Sequence, residues 1–479
     1  MQYGTILSFN TLHKLLKPAF VKKFDIRGKY GVEIHDIDAF YVSLALIKTF
    51  KPKNILIGWD TRPISYALAC NALAAFIKEG VLVSILPSCP IEYVTVGANG
   101  GNYDLSIMIT GSHNTYDWTG LLIHLPGGDS LRDEKMDQVF ECYESCLKIE
   151  PSVPFTQLDM LDNAIPQIEG LYVHKLLQLI PMKEIPTMEI VVDIGDGSGY
   201  RCLDIFESLL PQVTVHRLND RRIYDKDSSH IADPSLPESM QQVQDLMQKN
   251  SSIAYGFAFD SDADRVLGID ASGKYENGAQ MGAVIGQVEA LLHHFRPFRI
   301  GYAVECGPAV KNTFLQLRNK SIKLSPIPVG RSIHRGLLRE GLQDFCVENV
   351  GHFYYNEFFQ TDSSIYSMML LLLSHAKQFK NRILSLPDGF RSEMSIPATK
   401  DFTQINEDLR LELEELFQHM SIFSVDGVRG EIMDDKGFLH SWFAIRHSGY
   451  EDKYKCYFGS LNAANFYTLK KIFSQFLSV

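Results

Sequence analysis

The chain has 479 residues, 45% of them hydrophobic, which is too long for one ordinary domain and apolar enough to fill several cores. Lys and Arg total 46 against 57 for Asp and Glu, and the net charge of -11 repels phosphate backbones and anionic lipid over most of the surface. Nucleic acid and membrane surfaces are therefore poor partners, while a small anion gripped by a few clustered arginines stays open.

At the N-terminus, Asn10, His13, Lys14 and Lys17 interrupt the run from Leu7 to Phe20, which reads as an amphipathic lead-in instead of a secretory segment. The longest purely apolar stretch, Met368 to Leu373, is far short of the ~20 residues that a membrane span needs. Asn54–Ile57 reads as a strand and Tyr66–Glu79 as an Ala-rich helix closed by Gly80. The alternation returns at Ile190–Asp193 before a helix starting near Tyr200, and in reverse order at Met281–Phe295 before a strand over Arg299–Glu305. Turn-rich breaks near Ile165, Ser272–Gly278 and Leu386–Gly389 suggest domains over 1–164, 165–275, 276–385 and 386–479. Eight cysteines are scattered without a CxxC pair, and Cys142 with Cys146 lacks companion ligands, so reduced thiols in a cytoplasmic setting are expected.

Five segments carry candidate chemistry. Thr110–Gly120 (TGSHNTYDWTG) follows an apolar strand over Leu105–Ile109; Gly111 is expected to make the sharp turn, with Ser112 projecting from the tip beside His113 and Asn114. A solvated loop cap is the plain alternative, because adjacent Ser and His are not expected to bond as nucleophile and base. Phe259–Arg265 (FDSDADR) follows a strand over Ile253–Phe259, and its period-two carboxylates Asp260, Asp262 and Asp264 can converge on one point, as a hard cation such as Mg²⁺ requires. Arg265 would add a bidentate grip on phosphate; a solvated acidic turn is the alternative, and a calcium loop lacks its required Gly and Glu.

Phe24–Gly31 (FDIRGKYG) sets Arg27 before Gly28, so backbone and guanidinium could both approach a ligand. Glu348 can accept from two vicinal hydroxyls, and His352 after Gly351 can reach a ring oxygen or a phosphate. Near the C-terminus, Arg446, Ser448 and the amides around Gly449 offer a fork and nest for phosphate.

In this order the segments resemble the α-D-phosphohexomutase family, which includes phosphomannomutases and phosphoglucomutases. GWDTRPIS at Gly58–Ser65 resembles its arginine-bearing turn, TGSHN its phosphoserine loop and DSDADR its metal loop. PVGRS with Arg331, ENVGH and IRHSGYE with Tyr450 and Lys455 resemble its later substrate-binding loops. The resemblance implies four α/β domains around a central cleft: three similar mixed-sheet α/β domains and a smaller C-terminal α+β domain. It also implies a phosphoryl group carried on Ser112 beside Mg²⁺, which Ser112, Asp260, Asp262 and Asp264 hold. Arg27, His113 and His352 would assist, and Arg265, Arg331, Glu348, Arg446, Ser448, Gly449, Tyr450 and Lys455 would bind substrate. The reaction implied is interconversion of hexose 6-phosphate and hexose 1-phosphate through a hexose 1,6-bisphosphate, by a cytoplasmic monomer or homodimer.

The chain departs from the family pattern at Leu122, where a lysine usually serves as acid or base, and at Val350, Asp452, Thr115 and Thr119. If Leu122–Leu125 is a strand, His124 shares a face with position 122 and is a candidate replacement, a core histidine being the alternative. Two other functions stay open: a non-catalytic sugar-phosphate-binding paralogue of the same fold, and a phosphatase using the same serine.

Overall fold

The computed structural model describes residues 18–22, 25–271, 275–292, 297–317, 321–376, 389–397, 402–417, 419–448 and 453–477. The expected lead-in before Pro18, Phe24, the tail of the 281–295 helix, residues 272–274 and 386–388 of the expected breaks, and Gly449, Tyr450 and Asp452 lie outside them. Two compact units form: the described residues of Met1–Ile168 with Arg222–Ser228, and Glu169–Arg221 with Ser229–Val479.

The first unit is built on β1 (Ile26–Lys29), α1 (Asp36–Phe50), β2 (Asn54–Trp59), α2 (Pro63–Lys78), β3 (Leu82–Leu86), α3 (Ile91–Gly100), β4 (Leu105–Ile109), β5 (Trp118–His124), α4 (Asp133–Cys146) and β6 (Asp162–Asn163). The sheet runs β1-β5-β4-β2-β3-β6. Its centre, β4-β2-β3, is parallel and nearly all apolar, as strands covered on both faces must be. α2 starts three residues before the expected Tyr66, because Pro63 is pre-set for the first helical turn. At the break expected near Ile165 a helix begins, α5 (Ile165–Leu179).

Parallel strands end on the same edge of a sheet. The Asp60–Arg62 turn after β2 therefore lies beside the Thr110–Ser112 turn after β4, with Trp59 and Ile109 in register.

The second unit holds three sheets. β7 (Met188–Asp193), β8 (Val213–Leu218), β9 (Ile253–Phe259), β10 (Val266–Asp270) and β11 (Tyr275–Glu276) pair in the order β11-β10-β9-β7-β8, with α6 (Tyr200–Leu209) and α7 (Pro237–Lys249) in the connections. Next, α8 (Gly278–Leu292), β12 (Phe298–Ala303), α9 (Pro308–Leu317), β13 (Ile322–Ile327), α10 (Arg331–Arg339), β14 (Phe345–Val347), β15 (Phe353–Tyr355), β16 (Thr361–Asp362) and α11 (Ser364–Ala376) build β13-β12-β14-β15-β16. Each of the first three sheets thus joins a parallel set to an antiparallel hairpin. The fourth sheet differs: β17 (Phe390–Pro397), β18 (Met420–Phe423), β19 (Val428–Met433), β20 (Leu439–His447) and β21 (Lys453–Ser460) form β17-β21-β20-β19-β18, all antiparallel, with α12 (Phe402–Leu416) and α13 (Ala463–Leu477). The expected plan of three similar mixed α/β sheets and a different last one is what the chain adopts. All eight cysteines are free and all but Cys142 are buried, so packing accounts for most of them. Among the described residues no helix is long and apolar enough to cross a membrane.

A buried ionic cluster ties the fourth sheet to the third. Arg429 on β19 donates to Glu431 (2.8 Å) and to the carbonyls of Val304 and Cys306, and its guanidinium lies 5.3 Å from both the Tyr302 and Trp442 rings. Lys311 and Tyr302 also donate to Glu431, while Asn312 and Leu439 exchange two hydrogen bonds. Burial alone would raise the Glu431 carboxyl, but Arg429 and Lys311 outweigh it and hold it below the usual range. Its contribution is therefore present above the unfolded value, about pH 4.3, and fades as pH falls below that. Glu431→Gln leaves Arg429 and Lys311 without their carboxylate and is expected to cost about 3 kcal/mol at neutral pH, read from urea unfolding.

Candidate active site

In the first unit, Asp60 organises the serine loop. Its Oδ2 accepts from Arg62 Nη1, from Thr110 Oγ1 (2.7 Å) and from Gly111 N (3.4 Å), and its Oδ1 accepts from Arg62 N (3.0 Å). Arg62, only 1% exposed, donates Nη2 to the carbonyls of Ser112 (2.6 Å) and Asn114 (2.7 Å). Asn114 and Arg27 both donate to Gly111 O, at 2.9 and 3.3 Å, and Asp25 balances the Arg27 charge at 3.1 Å.

Two expectations about this loop change. The left-handed residue is Ser112 itself, with φ +51°, and Gly111 is required for a different reason: a Cβ there would sit 2.2 Å from Trp118 O and 2.8 Å from Arg62 Cζ. Ser112 Oγ and His113 Nδ1 also approach to 3.3 Å, within hydrogen-bond reach despite being adjacent in the chain. His124 does not replace the missing lysine. It pairs with Ser106 at the far end of the β4–β5 hairpin and is buried, while Leu122, partly exposed, lies opposite Met108.

In the second unit, β9 and β10 form a hairpin whose connection is Asp260–Arg265. Asp260 Oδ1 accepts from the backbone N of Asp264 (3.1 Å) and Arg265 (3.0 Å), and Ala263 takes φ +59° to close the turn. One ligand oxygen from each of Asp260, Asp262 and Asp264 lies within 4.8 Å of the others, and all three residues are buried. Asp260 Oδ2 and Asp264 Oδ1 are buried and accept no hydrogen bond. Burial, then Asp264 and Asp262, push the Asp260 carboxyl well above the usual range. Such an all-oxygen set, in which three buried carboxylates crowd one point, fits a hard divalent cation.

A network of alternating charges surrounds this turn. Arg331, at the start of α10, donates to Asp264 (2.6 Å) and to Asp362 on β16 (2.9 Å). His352 Nδ1 lies 3.0 Å from Asp362 and 3.6 Å from Asp264, while Arg265 Nε donates to His352 Nε2 at 3.0 Å. With Nε2 accepting, the imidazole proton is on Nδ1. Burial would lower the His352 pKa, but Asp264 and Asp362 carry it above the ordinary value; a second proton then requires Arg265 to let go. Gly351, with φ +96°, lets this loop dock: its carbonyl accepts from Val266 N on β10 (3.1 Å), and a Cβ would stand 2.8 Å from Val266 O.

Glu348 is less open than a sugar contact suggests. Its Oε1 lies 3.0 Å from His334 Nδ1 and accepts from Gly330 N at 3.2 Å. The other His334 nitrogen, Nε2, lies 2.6 Å from Pro328 O. Burial raises the Glu348 carboxyl, yet His334, His352 and Arg265 overcome it and set its pKa at about 2. Arg446 on β20 is held by Asp426 (2.6 Å), Ser448 N donates to Lys453 O (2.7 Å), and Lys455 pairs with Glu393 (3.0 Å). The structure thus gathers Arg27, Ser112 and His113 in the first unit. It gathers Asp260, Asp262, Asp264, Arg265, Arg331, Glu348 and His352 in the second, and leaves Lys455 on a strand ion pair.

The chain matches the phosphoglucomutase/phosphomannomutase alpha/beta/alpha domain I model over residues 19–149. A phosphomannomutase of Methanocaldococcus jannaschii is 23% identical over 440 residues, covering 90% of this chain and 91% of the relative. A phosphoglucosamine mutase of Campylobacter concisus is 24% identical over 368 residues, covering 74% and 79%. A solved phosphoglucomutase/phosphomannomutase family protein of Burkholderia thailandensis shares the fold with a TM-score of 0.75 at 20% identity, covering 96% of this chain and 97% of that one. Over these stretches the chain is similar to members of the α-D-phosphohexomutase family.

Residue-by-residue reading of the sequence passed over Asp60, His334 and Asp362 as site residues. Asp60 and Arg62 could have been weighed from the DTR turn, since an Asp two residues before an Arg at a strand end can fold back on it. His334 and Asp362 carry no local signal; only the docking of α10 and β16 gives them partners. His334→Gln removes the imidazole that faces Glu348 and is expected to destabilise the protein at pH 7 by about 2 kcal/mol. Because the depressed carboxyl contributes above about pH 4.3 and loses that contribution toward its folded value, the gap between variant and wild type should narrow on acidification, in unfolding free energies measured across pH.

Proposed function

We propose that the protein interconverts hexose 6-phosphate and hexose 1-phosphate, mannose or glucose phosphates first, with the phosphoryl group carried on Ser112. The observation that supports this most strongly is the buried convergence of Asp260, Asp262 and Asp264, which has little reason to exist without a divalent cation. Magnesium is the cation proposed: Asp260, Asp262 and Asp264 would hold it, and when bound it would neutralise charge that spreads over transferring phosphoryl oxygens. The glucosamine phosphate named for the Campylobacter relative is a further candidate sugar.

The chain's own residues supply positioning and proton transfer. His113, 3.3 Å from Ser112 Oγ, accepts the hydroxyl proton as the serine is phosphorylated and returns it as the phosphoryl group leaves. Arg27 steadies the loop carbonyl and offers charge to the phosphate, and Arg265, Arg331, His352 and Glu348 bind the substrate's phosphate and hydroxyls, trading their present partners for it. Arg446, Ser448, Gly449, Tyr450 and Lys455 take the distal phosphate. A hexose 1,6-bisphosphate is the intermediate and the primer. Domain limits at 1–164, 165–275, 276–385 and 386–479 accompany this reading, as does a cytoplasmic monomer or homodimer.

Intact-protein mass tests the reading directly. Incubation with glucose 1,6-bisphosphate and Mg²⁺ should add one phosphoryl group to the wild type and none to Ser112→Ala, and the wild type should convert mannose or glucose 1-phosphate to the 6-phosphate. Binding of hexose phosphate without interconversion would point to a non-catalytic paralogue, and release of inorganic phosphate in place of isomer to a phosphatase. His113→Ala is expected to slow serine phosphorylation by about 10²-fold, followed by the same mass measurement over time.

A further inference from the structure

The connection between β8 and α7 lies between two elements of the second sheet, yet Arg222–Ser228 belongs to the first compact unit. Arg222 takes φ +60° at the entry, and Tyr224 N donates to Thr61 O at 3.4 Å, in the turn that carries Arg62. Tyr224 is 2% exposed, and Arg62 Cζ lies 4.6 Å from the centre of its ring. The guanidinium nitrogens Nη1 and Nη2 of Arg62 are committed to Asp60, Ser112 O and Asn114 O, and its Cζ lies over the Tyr224 ring.

We infer that Tyr224 is a positioning residue for the serine loop: by stacking on Arg62 it fixes the plane in which the guanidinium holds the Ser112 and Asn114 carbonyls. The geometry demands such a fix. One nitrogen, Arg62 Nη2, serves both carbonyls, and small rotation of the guanidinium lengthens at least one of these bonds. The loop also holds Ser112 at φ +51°, a conformation that persists in a residue with a side chain only when its surroundings impose it. An aromatic face supplies both attraction to the cation and a flat wall, whereas an aliphatic side chain of like volume supplies only the volume.

The inference rests on Ser112 as phosphoryl acceptor, so the test reads the loop and the chemistry separately. Amide hydrogen exchange over residues 110–116 and the rate of Ser112 phosphorylation by glucose 1,6-bisphosphate are measured for the wild type, Tyr224→Phe and Tyr224→Leu, with Tyr224→Met as a second aliphatic variant should Leu impair folding. Expected are about tenfold faster exchange in the loop and about tenfold slower phosphorylation for Leu or Met, with recovery of both in Phe. The KM for hexose phosphate should stay near the wild-type value. In an Arg62→Lys background, Tyr224→Leu should add nothing further. Wild-type exchange in the Leu and Met variants, or failure of Phe to recover it, overturns the inference. Absence of phosphorylation in the wild type instead refutes the role of Ser112, and the exchange comparison still decides whether Tyr224 fixes the loop.

Discussion

Three carboxylates brought to one buried point set the terms for much of the second unit. Asp260, Asp262 and Asp264 repel one another where water is scarce, and the fold answers with Arg265 and Arg331, balances those with Asp233 and Asp362, and gives Arg265 Nε the His352 ring as acceptor. Each cation reaches a different element, so the charge network fastens the β9–β10 turn to α10, β16 and the Gly351 loop. A buried ionic network of this kind is weak support for stability by itself. Its value lies in fixing side chains where a cation and a phosphate would find them already oriented.

The first unit solves a related problem with backbone. A serine in a left-handed turn is awkward to hold, and Asp60 and Arg62 hold it through carbonyls and amides, leaving its hydroxyl beside His113. The parallel arrangement of β2 and β4 makes this possible, since it sets both turns on the same edge of the sheet. A Cβ at position 111 would collide with Trp118 O and with Arg62, so glycine there serves the clasp.

Much of this was legible in the sequence because it is written locally. The strands over 105–109 and 253–259 and the turns that follow them needed only apolar runs broken by Gly, Ser and Asp, and they stand where expected. The resemblance of ordered motifs supplied the repeated α/β plan. What the sequence did not disclose depends on partners distant along the chain: the His334–Glu348 pair, the Arg331–Asp362 bond and the place of Tyr224 under Arg62. His124 failed as a proton carrier for a register reason, since sharing a strand face with position 122 still leaves it at the wrong end of the hairpin. Period-two logic gives the face and says nothing about the distance along it.

The claim on which the account turns is that the aspartate trio exists to hold a divalent cation. Titration calorimetry with Mg²⁺ tests it without reference to any sugar. The wild type should bind one magnesium ion and Asp262→Asn should bind it at least about tenfold more weakly while melting at a similar temperature. A wild type that takes up no magnesium, or a variant that binds it as tightly as the wild type, would contradict the account.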